Sequence, residues 1–311
     1  MKSSYILESA NDDIEFFRER TSRTQPFLGR TKEQAAEAQQ RLRGSTVAIA
    51  GAGGIGGAMA MRLARLGVGK IKLADPGTFD VSNINRQLGA SASTIGKNKA
   101  AVAGELAYEV GRDTDVEVFT DGVQTSNAQD FVSGADIVLD QLDFSVITEK
   151  IALHEAYYAT TQCKEVLACS VIGWNAHLYR FTRQSMKLRD WYGLEDTSNI
   201  ECLAGDERAF HLLRLWAPRF PHFPSYNFIS DWIKENDALP IFAGAPPLAE
   251  GFLTQRVVLS LTGLDRAPYA STLPPIPQMY IYDAATLHGD IYTSNGDIAN
   301  SGEIQRLWSE Q

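Results

Sequence analysis

The stretch TVAIAGAGGIG, Thr46 to Gly56, constrains what this chain can fold into more than any other. A β-branched and apolar run (Val47, Ala48, Ile49, Ala50) passes directly into Gly51, Gly53, Gly54 and Gly56, and a segment rich in Ala, Met, Leu and Arg follows. That order predicts strand, glycine turn and helix. Glycine suits such a turn because it adopts positive φ and, lacking a Cβ, lets phosphates approach the backbone. The helix beyond it would point unpaired N–H groups and the positive end of its dipole at the turn, so an anion is the natural guest. The same spacing also serves as a plain tight connection, so the turn alone leaves both uses open.

The flanking segments extend the turn into a sheet. The helix from about Ile55 to Leu66 ends at Gly67, and Ile71 to Asp75 reads as the next strand. Such a βαβ unit puts the glycine turn and Asp75 at one carboxyl edge. A helix from about Ser93 to Val110 carries Lys97 and Lys99. Val116 to Thr120 reads as a third strand, and Ala135 to Asp140 as a fourth that ends in DQLD, with Asp140 and Asp143 at its carboxyl end. A helix from about Ser145 to Thr160, then strands from Glu165 to Val171 and Ala176 to Phe181, continue a repeated βα pattern. The predicted fold class is α/β, with a Rossmann-like, doubly wound, mostly parallel sheet. Residues 1–43 read as an N-terminal helical arm, broken near Gln25 to Gly29, and 44–186 as the nucleotide-binding core. In 187–240 Trp, Pro, His and Phe accumulate, which marks an inserted, mostly helical lobe. Residues 241–311 supply a helix and a C-terminal β-hairpin (Met279 to Asp283, Asp290 to Thr293) that complete the core.

Bulk properties exclude some partners. The net charge is −9 and no run of Lys and Arg occurs, which argues against a nucleic-acid groove. No uncharged apolar run is long enough to cross a bilayer, and Met1 to Phe17 lacks an apolar signal core, so no membrane partner is expected. The three cysteines, Cys163, Cys169 and Cys202, form no C-x-x-C pair, which fits a reducing, cytoplasmic compartment. Cys163 and Cys169 lie in apolar strand sequence and read as core; Cys202, in a polar loop, is the candidate for a reactive thiol. The five histidines show no ligand spacing.

Asp75 stands about where a dinucleotide fold places an acid on ribose hydroxyls, a position that suits NAD, FAD and ATP equally. Arg86, Lys99 and Asp143 favour ATP. Breaking a triphosphate needs cations on the phosphates and a carboxylate for Mg²⁺, whereas hydride transfer needs little added positive charge.

From about Arg20 to Gly263, apart from Lys187 to Ala238, the chain resembles the ThiF/MoeB/HesA adenylyltransferases, whose fold is shared with ubiquitin-activating enzymes. GAGGIG matches the family's glycine loop, LADPGTFDVSNINRQ its strand and S-N-L-x-R-Q segment, and IGKNK the segment of its phosphate lysine. VLDQLD matches its D-x-x-D, GAPPLAEGFLTQ the start of a late helix, and RTSRTQPFLG its N-terminal R-Y-S-R-Q. The resemblance implies an ATP site in which Gly51, Gly53, Gly54 and Gly56 cradle phosphates and Asp75 holds the ribose. It further implies that Asn83, Arg86 and Gln87 line the phosphates, that Lys99 neutralises the α-phosphate, and that Asp143 binds Mg²⁺. Arg23 matches an arginine that crosses a dimer interface, which implies a homodimer. The implied reaction is adenylation of a carboxylate, either the C-terminus of a small ubiquitin-like protein or peptide or a small acid, giving an acyl-adenylate and pyrophosphate.

The chain departs from the family in places. Two zinc-binding C-x-x-C pairs are missing: Cys202 stands alone, with Asn199 in its partner's place, so zinc is not expected. Gly77 replaces an acid and Phe144 an asparagine. Two alternatives stay open: a NAD(P)- or FAD-dependent oxidoreductase on the same core, which could use the same glycine turn, and a non-catalytic partner subunit, which Gly77 and Phe144 keep open.

Overall fold

Strand β2 (Thr46–Ala50) is buried along all but its first residue and forms the centre of the sheet. The computed structural model describes residues 4–194, 215–236 and 238–294. On one side β2 pairs in parallel with β3 (Lys70–Ala74), which pairs in parallel with β4 (Asp115–Phe119). On the other side it pairs with β5 (Ile137–Asp140), followed by β6 (Glu165–Ile172), again parallel. Antiparallel strands extend both edges: β1 (Ser4–Leu7) beside β4, and β7 (Asn175–Phe181), β8 (Gln278–Asp283) and β9 (His288–Thr293) beyond β6. The chain therefore winds outward from β2 in both directions, and the crevice between β2 and β5, where the winding reverses, is the switch point where such sheets bind ligands.

Register makes that switch point sharp. Ala50 pairs with Ala74 on one side and with Asp140 on the other. Gly51, Asp75 and Gln141 therefore leave the sheet on the same rung.

Period-two alternation sends the side chains of β2 to both faces. Val47 and Ile49 join a core with α3 (Gly56–Leu66), α4 (Lys99–Tyr108) and the helix Ala245–Thr262. Ala48 and Ala50 face a second core with α5 (Ala128–Val132), α6 (Ile147–Ala159) and the lobe residues Trp191 and Trp216. Burial on both faces explains why the parallel strands read as continuous apolar runs. The lobe contributes α7 (Leu188–Trp191) and α8 (Tyr226–Asn236), so that the helix Ala245–Thr262 is α9.

The structure departs from the sequence reading in three places. The N-terminal arm contains α1 (Ile14–Thr21) and α2 (Lys32–Arg43), but β1 precedes them and joins the sheet. Helix α4 starts at Lys99 rather than near Ser93, because Gly96 turns with φ +80° and extended Asn98 caps the helix by accepting from the Ala101 N–H. Strands β6 and β7 form an antiparallel hairpin and not a further βα unit; the chain turns at Gly173, φ +54°, where a Cβ would collide with Pro221. Cys163 and Cys169 are buried core, whereas Cys202 and Asn199 lie outside the described residues. No helix among the described residues is long and apolar enough to cross a membrane.

Candidate functional site

The glycines of the turn divide by role. Gly51 has φ +98°, and a Cβ there would run into the carbonyl of Gln141. A Cβ at Gly56 would run into the carbonyl of Gly51. Gly51 thus serves the close passage of the turn past the loop after β5, and Gly56 the close passage of α3 over the turn itself. Gly53 is different: the nearest atom to its Cβ position is Gln87 Nε2, 3.9 Å away. Helix α3 begins behind the turn with no side-chain cap; apart from the Gly57 N–H, which donates to Gly53 O at 3.2 Å, the N–H groups of its first residues face the turn without a capping side chain.

A cavity of about 480 Å³ opens over this turn, and it gathers every sequence-predicted site residue except one. Gly51, Gly53, Gly54 and Gly56 meet Asp75, Asn83, Arg86, Gln87, Lys99 and Asp143 around it. Asp75 is fixed by two backbone donors, accepting from the Ala52 N–H at 2.8 Å and the Gly77 N–H at 2.8 Å, one on each oxygen. Each oxygen keeps a further lone pair for hydroxyl donors. A Cβ on Gly77 would sit 3.0 Å from Asp75 Oδ1, so glycine here lets the carboxylate turn back on its own backbone.

The segment from Asp80 to Gln87 is a capped 3₁₀ turn, Val81–Asn85. Asp80 accepts from the Asn83 N–H at 3.1 Å, while buried Asn83 accepts from the Asp80 N–H at 3.3 Å. This reciprocal pair sets the direction of Arg86, whose guanidinium donates to Ser82 O at 3.1 Å and Asn85 Oδ1 at 3.0 Å. Burial lowers the Arg86 pKa, an effect that Asp80 partly offsets. Gln87 is 6% exposed and its Oε1 has no hydrogen-bond partner among the described residues. Lys99 opens α4, its N–H donating to Gly77 O at 2.9 Å. Neither Arg86 nor Lys99 has a carboxylate within ion-pair distance among the described residues. Asp143 is exposed and accepts from Ser145 N–H and Oγ, each at 3.1 Å. Arg23 is the exception: it lies exposed between α1 and the turn Gln25–Leu28 and does not line the cavity.

The floor holds a group that sequence reasoning missed. Asp140, 1% exposed, is met by Lys150 Nζ at 2.8 Å and His154 Nε2 at 3.1 Å. Burial alone would raise the Asp140 carboxyl, but the Lys150 ammonium and His154 overcome it and hold the group down at about 2. His154 is pushed below its ordinary value by burial, which its contact with Asp140 offsets only in part. The Lys150 ammonium also lies 4.2 Å from the ring centroid of Trp216. Asp140 is thus committed to internal partners, while Asp143 faces outward. The available signal was a lysine and a histidine four apart, on one face of the helical segment ITEKIALHEAYY.

Among the described residues, no group of three or more His, Cys, Asp or Glu is placed to hold a metal. A single carboxylate such as Asp143 does suit Mg²⁺, which keeps waters and takes its remaining ligands from phosphates.

Residues 28–213 match the ThiF family. The chain is 35% identical over 107 residues to a probable molybdopterin-synthase adenylyltransferase of Porphyra purpurea, covering 34% of this chain and 28% of that protein. It is 34% identical over 120 residues to a tRNA threonylcarbamoyladenosine dehydratase of Haemophilus influenzae, covering 38% of this chain and 46% of that one. The chain thus spans less than half the length of these curated relatives. In fold it is similar to Escherichia coli MccB solved with MccA-N7isoASN, with a TM-score of 0.64 over 90% of this chain and 73% of that one, at 15% identity.

Proposed function

The chain belongs to the ThiF family, and from that premise we propose that it is an ATP-dependent adenylyltransferase, activating a carboxylate as its acyl-adenylate. The observation that carries this proposal is the convergence of Arg86 and Lys99, without carboxylate partners among the described residues, on a cavity shared with Gly53, Asp75 and Asp143. A nicotinamide dinucleotide takes cations only for binding, such as an arginine on a 2′-phosphate, whereas displacement on a triphosphate needs them on the α-phosphate and on the leaving pyrophosphate.

In the proposed reaction a carboxylate oxygen bonds to the α-phosphorus of ATP. The bond from that phosphorus to the bridging oxygen breaks, and pyrophosphate leaves with the electron pair. No proton need move, so the protein's contribution is positioning and charge stabilisation. The turn amides and the start of α3 receive phosphate oxygens. Lys99 neutralises the charge that grows on the α-phosphate, and Arg86, Asn83 and Gln87 hold the leaving pyrophosphate. The Gln87 side-chain amide nitrogen, the atom nearest the Gly53 Cβ position at 3.9 Å, is the donor that would meet a phosphate oxygen there. Asp75 accepts the ribose hydroxyls on the lone pairs that the Ala52 and Gly77 amides leave free. Asp143 would hold Mg²⁺, which when bound supplies further neutralisation of the phosphates.

The carboxylate is the C-terminus of a small ubiquitin-like protein or peptide, or a small acid; the name of the Porphyra relative supports adenylyl transfer. The proposal includes a homodimer in which Arg23 serves the partner's site, supported by its exposure and by its not lining the cavity of its own chain. Buried, free Cys163 and Cys169 suit a reducing cytoplasm.

Product analysis tests the reaction class. With ATP, Mg²⁺ and the right acid, AMP and pyrophosphate form in equal amounts, and hydroxylamine traps the acyl group as a hydroxamate. Release of ADP, or thermal stabilisation by NAD(P)H and not by ATP·Mg²⁺, would overturn it.

A further inference from the structure

The cavity has two unlike halves. Around the glycine turn it is polar and cationic. The rest of its lining is largely apolar: Leu142 and Val146 from the connection between β5 and α6, Val171 of β6, and Trp216, Leu239 and Ile241 from the segment between β7 and α9. Of the charged groups on this side, Asp140 and Lys150 are buried and neutralise each other at 2.8 Å, and Asp143 is the carboxylate assigned above to Mg²⁺. A charged side chain placed against this wall would find no partner there, and an apolar one would lose only water.

The wall is held in place. The Trp216 carbonyl accepts from both Ser170 Oγ and the Tyr179 hydroxyl, and its indole N–H donates to the Tyr192 hydroxyl at 2.7 Å. The Lys150 ammonium sits over its ring. Ile241 O accepts from Asn85 Nδ2 at 3.3 Å, and Asn85 Oδ1 in turn accepts from Arg86 at 3.0 Å. The apolar wall is therefore tied through one side chain to an arginine of the phosphate half. Leu239, Ile241 and Val171 are only partly buried, with apolar surface left for an occupant.

We propose that the site selects a carboxylate bearing a bulky apolar side chain, which packs on the exposed surface of Val171, Leu239 and Ile241, backed by buried Trp216, while the carboxylate meets the α-phosphate. This specificity rests on the adenylation proposed above and goes beyond it. A glycine terminus would leave the wall unfilled, and an acidic or basic one would bury an unpaired charge. Adjacency to the phosphate half is what makes the wall a substrate surface: an acid attacking the α-phosphorus projects its α-substituent away from the phosphates.

The shared chemistry is an apolar substituent beside a carboxylate, and it can come from a peptide terminus or from a small acid. Decapeptides ending in Gly, Asp, Lys, Leu or Phe, and the matching N-acetyl amino acids, are compared for their support of pyrophosphate–ATP exchange. Leu and Phe should exceed Gly, Asp and Lys by about 10- to 100-fold in kcat/KM in at least one set, and the faster set identifies the source. Leu239→Ala and Ile241→Ala should each move the Leu-to-Gly ratio towards one, with folding checked by stabilisation on ATP·Mg²⁺. Exchange that is equal or faster with Gly or charged termini overturns the specificity and leaves adenylation standing. Exchange with no acid at all overturns adenylation, and the specificity falls with it.

Discussion

Lys150→Met is the most instructive single change in the floor of the site. Methionine keeps the unbranched bulk of the side chain and removes the ammonium that lies 2.8 Å from Asp140. The carboxylate is then left 1% exposed with His154 as its remaining partner in that group. Breaking a buried pair by removing one member typically costs about 3–5 kcal/mol. For a chain of 311 residues, an unfolding entropy of roughly 2.1 cal/mol/K per residue converts that loss to a fall in Tm of about 5–8 °C. The loss should also depend on pH. His154, held below its ordinary value by burial and repelled by Lys150, becomes the chief counter-charge of Asp140 in the variant, so its pKa rises. Proton uptake then partly restores the pair, and the penalty should be smaller at pH 6 than at pH 8. Calorimetry at both values measures it. The double variant Asp140→Leu/Lys150→Met, which removes both charges, should recover most of the loss. A fall under about 2 °C at pH 8, or no recovery in the double variant, would refute the assignment of Lys150 as the counter-ion that makes Asp140 tolerable.

The two kinds of glycine in the turn should separate stability from binding. Gly51→Ala, at φ +98° and against the Gln141 carbonyl, should lower Tm by several degrees, whereas Gly53→Ala should leave Tm within about one degree and weaken ATP binding about tenfold or more in calorimetric titration. His177 is fully buried, neither ring nitrogen has a partner among the described residues, and burial, aided by Arg219, lowers its pKa to about 3. The unfolded chain takes up its proton near 6.5, so this contribution is complete above that pH. It is lost as pH falls towards 3, at up to about 1.4 kcal/mol per pH unit. Urea unfolding from pH 7 to 4 should show a shallower slope in His177→Leu. If Arg23 serves the partner's site, Arg23→Ala and Lys99→Ala proteins mixed after unfolding and refolding should regain about a quarter of wild-type activity. Half the dimers are then mixed and each mixed dimer has one intact site; no recovery would exclude service to the partner's site.

Much of the fold was legible because its constraints are local. The glycine turn, the β-branched runs and the spacing to Asp75 define a βαβ unit from sequence alone, and the rung shared by Ala50, Ala74 and Asp140 follows from parallel pairing. Strand β1 was not legible, since Ser4 to Leu7 is four residues long and owes its form to pairing with β4 more than a hundred residues on. The start of α4 was blurred by Ser93 to Lys97, whose residues tolerate a helix but are broken by the positive φ of Gly96. In the site, Asp75, Arg86, Lys99 and Asp143 stand in compact motifs and could be named. Asp140 looked like a strand end because its partners lie ten and fourteen residues away, on the buried side of α6. Trp216 could not be placed at all from sequence: it reaches the cavity by tertiary packing on Ser170, Tyr179 and Lys150.

The central claim is that the cations over the Gly51 turn act on a triphosphate while a carboxylate attacks it. Exchange of labelled pyrophosphate into ATP, measured with and without added carboxylate, tests it most directly. Exchange should require the acid and Mg²⁺, and Lys99→Ala should reduce it by about 10²- to 10³-fold while the protein still folds. Binding of ATP with no exchange for any acid, or exchange undiminished in Lys99→Ala, would contradict it.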